Sequence, residues 1–254
     1  MELAVCLLLG SNHAIRIPEF VTYHKMMGVE KFFIYYNEDV RNWNSTWKYF
    51  KPFVDLGWVE MVPYYYKTRN YRLGIQHPCY HECLAKAKGI VKWLGFWDAD
   101  EFIQIQPQSS FKTIVEICNS FKDANTVAFF TNFCAYEGNA TEYIEHCTHP
   151  VFINDWLLCK QEGRLPKSIH LTDAIDYISP HLSMSLSTVR GNVPKNEAAL
   201  IHFRYPYKKY TIDGLAKHTY QKNEKFKQSF AGKVKDKLLQ LSFDDYKNYC
   251  EKYY

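Results

Sequence analysis

Three acids close an apolar run in Trp93-Leu-Gly-Phe-Trp-Asp-Ala-Asp-Glu-Phe102, the stretch of this chain best suited to do chemistry. The run predicts a buried strand, and the acids then fall at its carboxyl end, where open α/β sheets bind ligands. Asp98 and Asp100 are separated by Ala99, a spacing that can aim two hard oxygen ligands at one divalent cation. The same alternation turns Glu101 away from both, which makes it a structural hydrogen-bonder. A strand terminus with solvated carboxylates gives the same D-x-D pattern, so the spacing alone does not decide between them.

The elements that must position these acids are legible as alternating strands and helices. A strand near 3–9 runs into the turn-rich loop Gly10-Ser-Asn-His-Ala. A helix opened by Pro18 carries Ile17, Phe20, Val21, His24 and Met27 at helical spacing and is closed by Gly28. Lys31-Phe-Phe-Ile-Tyr-Tyr36 completes a βαβ unit. Gly57–Val62 predicts a third strand, and Pro78 a helix to about residue 88 with Tyr80, Cys83, Leu84 and Ala87 on its apolar face. After the acids, Ser109 or Ser110 is expected to cap a helix bearing Phe111, Ile114, Val115, Cys118 and Phe121. Thr126–Phe130 and Ala198–His202 predict further strands, the pattern weakens between 131 and 192, and the Lys-rich remainder is expected to be helical. The alternation predicts an α/β fold with a doubly wound, mostly parallel sheet flanked by helices and a more irregular C-terminal half. No repeat or low-complexity linker divides the chain. The expected organisation is one domain over 1–254, with a nucleotide-binding half at 1–130 and an acceptor-binding half at 131–254.

Composition narrows the class. A chain of 254 residues with 47% hydrophobic content can bury a sizeable core and excludes disorder. Nine lysines against three acids between Lys208 and Lys237 give a local balance of +6 within a net charge of +4. Such an end can attract phosphates or nucleic acid, or form the solvated side of a helix. Eight cysteines lack paired C-x-x-C spacing, which speaks against a zinc site. Free thiols in a cytoplasmic setting are favoured over a secretory disulfide framework, in which the sequons at Asn44 and Asn139 would matter. Ala4–Leu9 follows an acid and no basic segment and is too short to span a bilayer, so it reads as a buried strand. No other stretch is long and apolar enough to cross a membrane, and the chain is expected to be soluble.

The order of motifs resembles glycosyltransferase family 92. Glu19-Phe-Val-Thr-Tyr-His24, Gly28-Val29, Phe32 or Phe33, Tyr35 or Tyr36 and Asn37 are similar to that family's N-terminal segment. Gln76-His-Pro-Cys-Tyr80 with Cys83, the stretch Trp93–Phe102, Pro166-Lys-Ser-Ile169 and Ile201-His-Phe-Arg204 are similar to its later elements. Glu82 stands where Asp is common, Phe203 replaces the usual Tyr, and 133–165 matches poorly, which leaves the acceptor open.

The resemblance implies a GT-A fold and an inverting, metal-dependent transfer of a hexose or pentose from a UDP-sugar, galactose first, to a hydroxyl of a glycan or glycoprotein acceptor. It makes Asp98 and Asp100 the acidic ligands of Mn²⁺ or Mg²⁺ and His202 the candidate nitrogen ligand. Ser11 and Asn12 are then placed near the nucleotide, Asn37 and Asp39 near uracil or ribose, and Gln76 near the base or donor sugar; turn and capping roles fit these residues equally. Arg72 or Lys217 is the candidate for the diphosphate, with solvated surface the alternative reading for either. Inversion requires one carboxylate base, for which Glu137 and Asp155 are the candidates. Three other readings stand beside it: a haloacid-type phosphohydrolase, which wants a different residue where Phe102 stands; a nucleic-acid module, for which no motif is found, so no nucleic-acid partner is expected; and an inactive glycan-binding domain.

Overall fold

The computed structural model describes residues 1–66, 72–135, 158–161, 166–178, 188–204 and 221–222. Parts of the Tyr- and Arg-rich loop and of the middle segment, and most of the Lys-rich end, lie outside the described residues. The fold is organised around β1 (Leu3–Leu9), all seven residues of which are buried. It has no solvated face because both sides of the strand are covered. Leu3, Val5, Leu7 and Leu9 pack with Ile17, Phe20 and Val21 of α1 (Ile17–Met26). Ala4, Cys6 and Leu8 pack with Cys79, Tyr80, Cys83 and Leu84 of α3 (His77–Ala87). Each fully buried aliphatic side chain of this kind contributes about 1.5–3 kcal/mol.

Helix α1 begins where expected, with Pro18 in its first turn. Its end is set by Gly28, whose φ of +96° is accessible to glycine at little cost. Strand β2 (Lys31–Tyr36) pairs parallel with β1 in the register Ala4 to Lys31, and β3 (Val59–Pro63) pairs parallel with β2. The short α2 (Lys51–Asp55) connects them. On the other side of β1 lies β4 (Trp93–Phe96), also parallel. Trp97, expected as the last strand residue, folds back instead: a Cβ on Gly95 would stand 1.9 Å from its indole ring, so only glycine leaves room.

After the acids the chain departs from the expected single sheet. Strand β5 (Glu101–Ile105) leaves the first sheet. The chain continues through α4 (Ile114–Ser120), β6 (Thr126–Phe129), β7 (Thr131–Ala135), β8 (Leu158–Gln161), β9 (Lys167–Leu171), β10 (Arg190–Asn192), β11 (Ala198–Arg204) and β12 (Gln221–Lys222). The seven-stranded sheet has the order β10-β6-β9-β4-β1-β2-β3 and is parallel except at β9. The five-stranded sheet has the order β12-β8-β7-β11-β5, with β5 antiparallel to β11. The mostly parallel α/β sheet flanked by helices agrees with the expected fold class, and the second sheet is what the weak pattern after residue 130 concealed.

The cap of α4 is a second departure. Thr113, not Ser109 or Ser110, caps the helix in a reciprocal box with Glu116. The Ser109 hydroxyl donates to the Glu197 carboxylate at 2.6 Å instead.

His24 behaves as a core residue. It is fully buried, its Nδ1 donates to the Phe20 carbonyl at 3.0 Å, and its ring lies among Phe20, Tyr23, Trp97 and Phe102. Burial lowers its pKa from 6.5 to about 3. The folded protein therefore keeps His24 neutral while the unfolded chain protonates it as pH falls below 6.5. This stabilisation is complete above the unfolded value and is lost towards the folded one, at about 1.4 kcal/mol per pH unit. In urea denaturation at stepped pH between 7 and 4, His24→Phe is expected to show a shallower acid loss of stability than the unmodified protein.

Candidate active site

Asp98, Ala99 and Asp100 form the turn between β4 and β5. Because β4 ends at Phe96 and a turn follows at Ala99 and Asp100, strand alternation does not govern these residues. Glu101 donates its N–H to the Asp98 carbonyl at 2.9 Å, and its Oε2 accepts the Asp98 N–H at 2.8 Å. The expected structural hydrogen-bonder is thus found, but it faces into the acid cluster and not away from it.

Two further segments complete the cluster. Lys167 opens β9, whose pairing with β4 aligns Ile169 with Gly95 and so brings Lys167 level with the end of β4. Its Nζ is 3.2 Å from Asp98 Oδ2 and 3.0 Å from Glu101 Oε2. His202 pairs directly with Glu101 across β11 and β5. The imidazole reaches both acids, with Nδ1 3.3 Å from Glu101 Oε1 and Nε2 3.7 Å from Asp100 Oδ2. Arg16 ends the 3₁₀ turn Ser11–Arg16 and is fully buried, with Nη1 3.3 Å from Asp100 Oδ2. Three acids thus face a lysine, an arginine and a histidine, the balance that buried ionic groups require.

The electrostatics follow from this packing. Burial raises the Asp100 carboxyl, but His202, Arg16 and His13 outweigh it and hold the pKa well below the usual carboxylate range. Burial raises Glu101, reinforced by Asp98 and Asp100, and Lys167 and His202 offset only part of this. Burial lowers Lys167 and His202, and in each the neighbouring acids prevail: Asp98 and Glu101 raise the lysine, Asp100 and Glu101 the histidine.

The donor chemistry fits a divalent cation, since Asp98 and Asp100 supply hard oxygens and His202 a nitrogen. Among the described residues, no three His, Cys, Asp or Glu groups form a ready coordination site. The carboxylates are turned towards Lys167 and Arg16, and an ion would share them with these cations.

Four of the other expected binding residues, Ser11, Asn37, Asp39 and Gln76, have local partners of their own. Asn37 follows β2, donates its N–H to the Leu9 carbonyl and accepts the Tyr66 N–H on its side chain at 3.0 Å. Asp39 caps the 3₁₀ turn Val40–Ser45 and pairs with the Arg41 guanidinium. Ser11 is exposed and shares a hydrogen bond with Glu38, and Asn12 lies in the same turn. Gln76 donates to the Tyr80 hydroxyl at 3.1 Å. Arg72 opens the turn before α3. Glu137, Asp155 and Lys217 lie outside the described residues. Arg16 and the role of Lys167 escaped the sequence reading; the only available signals were a cation immediately before an apolar helix and the Lys of the Pro166–Ile169 element. Cys6, Cys79, Cys83 and Cys118 are free and buried. No described helix is long and apolar enough to cross a membrane.

Glu101 is 1% exposed and shares its carboxylate among three donors, so Glu101→Ala leaves Lys167 with the partly exposed Asp98, leaves His202 with Asp100, and strips the Asp98 N–H of its acceptor. Equilibrium urea unfolding is expected to show a loss of about 3–5 kcal/mol for this variant. Glu101→Gln, which keeps an acceptor for the Asp98 N–H, is expected to lose less.

Two matches carry the description "Glycosyltransferase family 92 protein", both from Ricinus communis. One is 26% identical over 156 residues, covering 52% of this chain and 22% of the relative. The other is 27% identical over 127 residues, covering 50% and 21%. The chain thus spans about a fifth of the length of these relatives. Among solved structures, the galactosyltransferase LgtC in complex with donor and acceptor sugar analogs matches at 9% identity and a TM-score of 0.44, covering 96% of this chain and 99% of that one. The WbbM bifunctional glycosyltransferase matches at 8% identity and a TM-score of 0.35, covering 67% and 31%. The sequence profile of glycosyltransferase family 92 matches residues 1–251, and this chain belongs to that family.

Proposed function

We propose that this chain is the donor-binding and catalytic part of a glycosyltransferase that moves a hexose or pentose, galactose first, from a UDP-sugar to a hydroxyl of a glycan or glycoprotein acceptor with inversion. The observation that carries this reading is the acid turn Asp98–Glu101, held where the two sheets meet with His202 beside it. Asp98, Asp100 and His202 are the groups that would hold Mn²⁺ or Mg²⁺. When bound, such an ion supplies a Lewis acid that neutralises the departing diphosphate.

The protein's own share of the work is orientation. Arg16 fixes Asp100, and Glu101 fixes both the Asp98 backbone and the His202 ring. In an inverting transfer the acceptor oxygen bonds to the anomeric carbon as the carbon–oxygen bond to the diphosphate breaks. The hydroxyl proton passes to a carboxylate base, for which Glu137 and Asp155 remain the candidates. Ser11, Asn12, Asn37, Asp39 and Gln76 are proposed to meet the nucleoside and donor sugar, and Lys217 the diphosphate.

The test is a UDP-release assay across UDP-sugars with and without Mn²⁺. Asp98→Asn and Asp100→Asn are each expected to lower turnover at least about a hundredfold, as removal of a preorganised electrostatic group does. Full metal-dependent turnover in either folded variant would overturn the assignment.

A further inference from the structure

Lys167 joins a site for which the sequence led us to expect two acids and a histidine. Its ammonium is 4% exposed and bridges Asp98 Oδ2 and Glu101 Oε2, while the Asp98 side chain is 38% exposed and the most open of the three acids. The lysine therefore holds Asp98 from the protein side, and solvent reaches the same carboxylate from the other. Glu101 anchors the ammonium from behind, because its own carboxylate also receives the Asp98 N–H and faces His202. A cation arriving from solvent meets a carboxylate that already carries one.

We propose that Lys167 is a resident counter-cation of the acid turn, a positioning residue that competes with a divalent cation for Asp98 and so sets how tightly the site takes metal. The proposal rests on the reading of Asp98 as a metal ligand.

Two effects of the lysine oppose each other, and their sizes decide the sign. As an orienting partner of a ligand, its loss would weaken metal binding about 10–100-fold. As a charge, it repels. Two cations sharing one carboxylate lie only that group's width apart, and at an effective dielectric of about 20 a unit and a double charge so placed repel by well over a hundredfold in binding. Repulsion prevails.

The test is a titration of the donor-free full chain with Mn²⁺, following the free ion by electron paramagnetic resonance, with circular dichroism to verify folding. Lys167→Met is expected to bind Mn²⁺ about tenfold more tightly than the unmodified protein. Lys167→Gln removes the charge but keeps a hydrogen-bond donor; it is expected to do the same and serves where the methionine variant fails to fold. Lys167→Arg keeps the charge and is expected to stay within about threefold of the unmodified protein. If the unmodified protein binds Mn²⁺ and both neutral variants bind it equally or more weakly, the competition is refuted and the metal reading stands. If none of the folded proteins binds Mn²⁺, the metal reading fails and the proposal falls with it.

Discussion

The site depends on one buried carboxylate. Glu101 takes the Asp98 N–H and the Lys167 ammonium on one oxygen and faces His202 with the other. Those partners come from the acid turn, from β9 of the first sheet and from β11 of the second. An unpaired charge at this depth would cost several kcal/mol, so the three segments meet around Glu101 together or the carboxyl takes up a proton. The same constraint that joins the two sheets also fixes the direction of Asp98 and His202, and stability and site geometry become one property.

Around that centre the apolar scaffold does the coarse placement. Strand β1 is buried on both faces and lies between β2 and β4, so the loop after β1 and the turn after β4 emerge side by side at one edge. This is why Arg16, at the end of the first loop, meets Asp100 at the end of the second. Trp97 closes the floor beneath the turn by folding over Gly95 and packing on His24, which ties the acids to the core of α1. A small shift of that core would be felt at the carboxylates, because close-packed interiors transmit displacement.

Much of this was legible in the sequence, and the missing parts share a cause. Apolar runs, Pro18 and Gly28 located β1, α1 and β2 closely, and the abrupt change from apolar to acidic marked the turn at Asp98. The partners of the acids were not legible, because Lys167 reaches Asp98 across 69 residues and residue type does not record a contact at that range. Alternation misplaced Glu101 because it presumes a strand that continues through the acids, whereas the chain turns between two sheets. Ser109 looked like a helix cap, but its hydroxyl answers to Glu197, 88 residues away, and Thr113 with Glu116 close by makes the cap locally.

The central claim is that Glu101 and Lys167 act as one coupled buried pair. A double-mutant cycle of Glu101→Gln, Lys167→Met and the combined variant, read by equilibrium chemical denaturation, measures that coupling directly. A coupling of about 2 kcal/mol or more is predicted, with the double variant more stable than the sum of the single losses implies. Additive losses within about 0.5 kcal/mol would contradict the account, since the two groups would then be packed near each other without depending on one another.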